Sequence, residues 1–200
     1  MEEGYPQMAI LKSGATVTLR PFEPSDEPEF VQFFSSLPPE HVEFLRDNLR
    51  DPEVAHCFIR LREPDQAWTM LAFSEDGRVV GNATLYMDRH GWRRHVGVVH
   101  VVIAPEYLRQ RLAMRLVREL MSYATLRGLK KLEVQVLDSQ TGARIAFKHL
   151  GFREEARLRG HAMDLRGKLH DIIILTTDVY DPWRRMEDLV FELDCAREIP

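Results

Sequence analysis

Residues 97–104, GVVHVVIA, form an almost continuously apolar run that ends at Pro105. A run of this kind reads as a strand covered on both faces. A long helix follows, from about Tyr107 to Arg127. Its positions Ala113, Leu116, Val117, Leu120 and Ala124 make one core-facing stripe, and Gly128 closes it. Lys131 to Leu137 then alternates as a strand. This strand–helix–strand unit places the chain among mixed α/β folds. In open sheets of that kind, ligands bind at the carboxyl ends of strands. The junction at Pro105 is therefore where a site is expected.

The flanking segments agree. Val17 to Pro21 reads as a strand, and Ser25 is an N-cap for a helix reaching about Leu37. Pro38-Pro39-Glu40 opens another helix with Val42, Phe44, Leu45 and Leu49, and Asp51 to Leu61 suits a further short one. Trp68 to Ser74 and Val79 to Asp88 are strands joined by the turn Glu75-Asp76-Gly77. Gln140 to Leu150 is a helix closed by Gly151, and Glu155 to Met163 and His170 to Val179 are strands. Asp181-Pro182 starts a last helix with Trp183, Met186, Val190 and Leu193 on one stripe. That stripe can dock on its own domain or on a second subunit, which leaves a homodimer open.

Composition narrows the class of partner. A net charge of −4 and a pI of about 6.1 argue against nucleic acid. No apolar run approaches the ~18 residues of a membrane span. The N-terminus MEEGYPQM lacks the pattern of a signal peptide, so a cytoplasmic location is expected. The two cysteines, Cys57 and Cys195, suggest neither a metal site nor a disulfide framework. His161, Asp164, His170 and Asp171 cluster around one hairpin and read as polar hairpin ends, with no metal expected.

The loop Glu106 to Leu112 begins a helix, so its N–H groups lack intrahelical acceptors. The helix dipole adds positive potential, and phosphate is the natural guest. Arg109 and Arg111 bring two charges and forked donors. The residues alone leave a second reading open, in which both arginines are merely solvated.

From about residue 14 to 179 the order of elements resembles the GNAT superfamily of acyl-CoA-dependent N-acyltransferases. Three segments carry the resemblance. VVIAPEYLRQRLAMRLVREL is similar to the family's strand–loop–helix, and ARIAFKHLGF (143–152) to its Ala-x-x-x-Tyr-x-x-x-Gly-Phe signature. GATVTLRPFEPSDEPEFVQFFSSLPPE is similar to the opening of the acyltransferase domain in bacterial protein-lysine acetyltransferases. The resemblance implies a GNAT-like mixed sheet flanked by helices over residues 8–180, with a C-terminal helical extension at 181–200.

It also implies roles for particular residues. The family's phosphate loop, Arg/Gln-x-x-Gly-x-Gly/Ala, falls on Leu108, Arg109, Gln110, Arg111, Leu112 and Ala113. Ala113 conforms, Leu108 replaces the polar residue and Arg111 replaces the key glycine. Arg111 either blocks the pyrophosphate or swings aside and grips it. Phe147 stands where the family often has a proton-donating tyrosine, and Gln140 where it often has an asparagine that bonds pantetheine. Val98 aligns with the glutamate base of the lysine acetyltransferases. His100 shares a strand face with Val98 and is the candidate base, against a second reading as a core histidine. Backbone groups of Val101 and Ile103 are the candidates to pair with pantetheine.

Arg144 and Lys148 lie one helical turn apart and read as a solvated face or as contacts to the cofactor's outer phosphate. Tyr86, Trp92 and Phe44 are core residues or the lining of an acceptor cleft. The resemblance thus points to an N-acetyltransferase. It would use acetyl-CoA as co-substrate and a small-molecule or protein amine, protein lysine included, as acceptor. The altered loop, Phe147 and Val98 keep an alternative open: a catalytically silent module that senses acyl-CoA or binds a partner protein.

Overall fold

The computed structural model describes residues 4–42, 48–60, 66–164 and 166–179. The strands are β1 (Gln7–Ile10), β2 (Thr16–Pro21), β3 (Ala67–Ser74), β4 (Val79–Met87), β5 (Val96–Ile103), β6 (Lys131–Leu137), β7 (Arg153–Met163) and β8 (Leu169–Asp178). The helices are α1 (Glu27–Ser36), α2 (Pro39–Val42), α3 (Pro52–Arg60), α4 (Leu112–Leu126) and α5 (Thr141–His149). The strands make one sheet in the order β1-β2-β3-β4-β5-β6-β8-β7. All neighbours are antiparallel except β5 and β6, which run parallel because α4 carries the chain back between them. This is the mixed α/β class expected from the pattern.

Helix α4 covers one face of the sheet. It buries Leu112, Leu116, Val117, Leu120 and Ala124, and its Tyr123 ring stacks on Trp68 with centroids 4.1 Å apart. Two glycines allow the close approach. A Cβ on Gly81 would meet Ile103, Leu112 and Leu116 at 3.1–3.3 Å, and one on Gly97 would meet Leu85, Leu129 and Leu132 at 2.7–2.9 Å. The opposite face takes α1 and α3 through an aromatic series. Phe34 touches Phe30, Phe30 stacks on Phe58, and Phe58 meets Tyr86 of β4 edge-on.

The entrance to α1 differs from the sequence reading. A 3-10 turn at Pro24–Asp26 precedes the helix, and Asp26 rather than Ser25 occupies the N-cap. The Asp26 carboxylate is buried and accepts both forks of Arg20 (2.6 and 2.5 Å) and the Glu23 N–H (2.8 Å). A buried carboxylate needs such charged partners, and serine offers none. The hydrogen bond to Asp26, first among several causes, raises the Arg20 pKa above its ordinary value. Arg20 also lies 4.3 Å over the Phe73 ring, tying β2, β3 and the start of α1 together.

Three further readings change. The edge strand β1 carries too short a pattern to be read from the sequence. The helix expected from Tyr107 begins only at Leu112, after a 3-10 turn at Pro105–Tyr107. The strand expected to be covered on both faces is only partly covered on the face away from α4, where Val98 and His100 are partly exposed and Val102 is buried. Phe44, Leu45 and the extension at 181–200, with Trp183, Met186, Val190 and Leu193, lie outside the described residues.

Packing at Gly97 yields a stability prediction. Gly97→Ala forces three buried leucine methyls to move and is expected to cost about 1–3 kcal/mol. Gly81→Ala, with looser contacts, is expected to cost less. Urea midpoints of the two variants give the order.

Candidate functional site

The parallel contact of β5 with β6 is short. Pairing runs through Val96 with Lys131, Gly97 with Leu132 and Val98 with Glu133, and then stops. Beyond it β5 continues to Ile103 bonded only to β4, and β6 continues to Leu137 bonded only to β8. The two strands therefore diverge into a cleft with free backbone on both sides.

Hydrogen-bond alternation tells which groups line that cleft. The Ala104 N–H donates to the Val80 carbonyl (2.9 Å), so Val101 and Ile103, beyond the last pair with β6, turn their N–H and C=O groups toward the open edge. On the other side the Asp138 N–H donates to Asp171 (3.0 Å), which turns Leu137 toward the cleft. The Leu137 N–H is taken by Gln140 Oε1 at 3.1 Å. Gln140 thus sits at the cleft edge with its Nε2 donor left over. Phe147 is buried and packs edge-on against Phe152, centroids 5.1 Å apart.

At the mouth of the cleft lies the loop 108–113. Arg109 has φ 60° and Arg111 φ 66°, and these are the non-glycine residues at positive φ among those described. L residues avoid this region by about 1–2 kcal/mol each. Arg111 is the N-cap of α4, and the N–H groups from Arg109 to Met114 have no backbone acceptor among the described residues. Successive free N–H groups around left-handed residues form a concave nest for an anion. Both arginines are exposed, and neither guanidinium has a partner among the described residues.

Gln110 holds the strained loop in place. Its Nε2 donates to the Glu106 carbonyl (2.8 Å), and its Oε1 accepts from the Ser13 hydroxyl. Arg115 adds a bond to the Ile10 carbonyl (3.3 Å), and Tyr5 donates to Glu119 (2.6 Å). The β1–β2 hairpin thus clamps the loop from outside. Sequence reasoning missed Ser13 in this role, because a lone serine in a turn carries no local signal for a contact 97 residues away.

A strand cleft open at a helix start that carries a glycine-type backbone has a counterpart among known proteins. The acetyltransferase (GNAT) family profile matches residues 28–152, more than half of the chain. The chain belongs to the GNAT family. The family's co-substrate is acetyl-CoA. Solved GNAT structures share the fold. The GNAT domain of S. lividans PAT is 15% identical with a TM-score of 0.70, covering 89% of this chain and 99% of its own. A ribosomal-protein-alanine N-acetyltransferase from Brucella melitensis is 20% identical with a TM-score of 0.70, covering 80% and 98%. The yncA protein of Salmonella typhimurium, crystallised with acetyl-CoA, is 16% identical with a TM-score of 0.70, covering 82% and 95%. At such identities the likeness is one of fold. No curated protein matches the chain.

In GNAT terms, Leu108 is exposed, Leu112 is buried against the sheet and Ala113 is partly buried beside it. His100 shares the face of Thr84, Tyr86 and Val98, away from α4, and its ring meets Tyr86 edge-on at 4.9 Å. Trp92 is 86% exposed and so is not a core residue, whereas Tyr86 packs between Phe58 and His100. Arg144 turns to Glu154 (3.0 Å).

The hairpin acids are engaged. His170 lies 3.0 Å from Asp164, and Asp171 accepts the Gly160 N–H (2.8 Å) and Arg157 (2.7 Å). Both aspartates are held below the usual carboxylate range, Asp164 chiefly by His170 and Asp171 chiefly by the Gly160 N–H. Among the described residues, no group of three or more His, Cys, Asp or Glu is placed to hold a metal. Among them, no helix is long and apolar enough to cross a membrane.

The loop strain is measurable. Arg111→Gly removes about 1–2 kcal/mol of left-handed strain and adds back about 0.4–1 kcal/mol of unfolded-state entropy. Its stability is expected to equal or slightly exceed that of the parent. Arg111→Val, β-branched at positive φ, is expected to lower stability. Chemical denaturation of the two variants checks the sign.

Proposed function

We propose that this chain transfers the acetyl group of acetyl-CoA to an amine, with a protein lysine as one class of acceptor. The observation that carries the reading is the pair of arginines kept at positive φ beside the strand cleft. Such strain persists only where the surroundings over-determine it, and it concentrates at ligand sites. A chain that had abandoned the phosphate site would gain stability by relaxing this loop.

The residues divide the work as follows. The N–H groups of Arg109, Gln110, Arg111, Leu112 and Ala113 cradle the pyrophosphate, and the two guanidiniums add charge at its rim. Leu108 flanks the cradle without a polar contact. Val101 and Ile103 offer backbone donors and acceptors to the pantetheine arm, and Gln140 offers its Nε2 from the opposite edge. Phe147 closes the cleft with an apolar surface, so it supplies shape and no proton. His100, on the cleft floor, takes a proton from the attacking nitrogen. An imidazole suits that task at neutral pH.

The family's glycine loop brings phosphate near by having no side chain. Here the loop holds a left-handed backbone and the Arg111 side chain is exposed at its rim, which supports a gripping role over an obstructing one. The alternative, a silent module that binds acyl-CoA without turnover, has the buried Phe147 in its favour.

Calorimetric titration with acetyl-CoA and with CoA tests the binding half. Saturable binding is expected, and Arg111→Gly is expected to weaken it about 10- to 100-fold, the loss of one charge-assisted hydrogen bond. No binding at millimolar ligand overturns both the enzyme and the silent acyl-CoA module. Turnover with a panel of amines separates those two. With an accepted amine, His100→Ala is expected to lower kcat/KM by about 100-fold or more while acetyl-CoA affinity stays within the parent range.

A further inference from the structure

The carboxylate that the family places on the central strand is missing at Val98, yet the structure brings one to the same spot from the next strand. Val98 and Glu133 are register partners, the last parallel pair before β5 and β6 part. Directly opposed residues share a sheet face, so Glu133 stands on the side of Val98, Tyr86 and His100, at the apex of the cleft. Its side chain is 14% exposed, sheltered but still open to solvent.

We infer that Glu133 is a second catalytic residue of the acetyl transfer, the group that binds the acceptor ammonium and takes its first proton. The inference rests on the enzyme reading above. Glu133 Oε2 accepts from Arg93 (3.1 Å) and Oε1 from Gln135 Nε2 (3.0 Å). These two donors orient the carboxylate, and each oxygen keeps a second lone pair for an N–H of the acceptor. Strand spacing and rise put the Glu133 and His100 Cβ atoms on one face, at least roughly 8 Å apart because the strands part there. A nitrogen hydrogen-bonded to both side chains fits between them.

That placement answers a need of the reaction. An ammonium must lose two protons to become an amide N–H, and one base removes only one. Glu133 takes the first, freeing the lone pair that attacks the thioester carbon. As the C–N bond forms and the C–S bond breaks, His100 takes the second proton and delivers it to the departing sulfur. The products are the N-acetyl amine, CoA thiol and a protonated Glu133, which returns its proton to water. No proton donor is required of Phe147.

Several charged or titratable groups face Glu133. They are Arg93 from the β4–β5 connection, His100 from β5, Tyr86 from β4, and Lys131 two residues back on its own strand. Lys131 is turned toward Glu155 and Asp178 (3.9 and 3.6 Å), so Arg93 is the cation in direct contact.

The test compares Glu133→Gln and Glu133→Asp with the parent in full-length protein. It uses a lysine peptide, an alanine-N-terminal peptide and small monoamines as acceptors. E133Q is expected to lose about 100- to 10,000-fold in kcat/KM, with acetyl-CoA affinity unchanged by calorimetry, which also verifies its fold. Its kcat/KM is also expected to fall less steeply toward acid, keeping the limb of His100 and losing that of the carboxylate. E133D keeps a carboxylate and is expected to recover a clear part of the activity with that limb intact. An E133Q variant that turns over like the parent, or an E133D variant as inactive as E133Q, overturns the assignment alone. A parent that binds acetyl-CoA and acetylates none of the amines overturns the enzyme reading and this assignment with it.

Discussion

The parallel contact between β5 and β6 lasts for three residue pairs, and the rest of the structure is arranged around where it ends. Gly97, in the middle of the contact, is the place where Leu85, Leu129 and Leu132 close over the sheet beneath α4. That packing pins the strands together at one end. At the other end each strand finds its partner on the outer side, β4 for β5 and β8 for β6. Backbone groups on the inner edges are then left without a ladder. Unpaired strand edges are costly when buried and useful when a ligand can pair with them.

The loop at the head of α4 keeps a left-handed backbone without the glycine usually used to build it. Glycine reaches the left-handed region at no steric cost, and arginine does so only under constraint. Here the constraint is visible. Gln110 bonds back to Glu106 and out to Ser13, and the β1–β2 hairpin bonds α4 through Arg115 and Glu119. The chain exchanges glycine's freedom for two positive charges and restores the geometry with side-chain braces. The free N–H groups keep their direction, which is what an anion recognises.

A similar exchange runs through the chemistry. Hydroxyl and carboxylate are absent from the two positions where the family pattern leads one to seek them, Phe147 and Val98. On the reading proposed above, polar function falls to neighbours on the same cleft, His100 on β5, Glu133 on β6 and Gln140 at the head of α5. All three sit within one or two residues of the apex or rim of the same opening. Function on such a scaffold depends on which side chains reach the cleft and less on which strand carries them.

Much was legible in the sequence. The order of strands and helices after residue 67, the core stripe of α4, and the shared face of Val98 and His100 follow from local periodicity, which depends on near neighbours in the chain. So does the expectation of an anion site at the start of α4. The tertiary structure decided the rest. It set the left-handed backbone at Arg109 and Arg111, because braces from distant Ser13 enforce it against intrinsic preference. It placed Asp26, and not Ser25, at the start of α1, where the buried carboxylate takes the partly exposed fork of Arg20. It set Glu133 beside Val98, because strand register between segments 35 residues apart is fixed by packing over Gly97 and leaves no periodic trace in either strand.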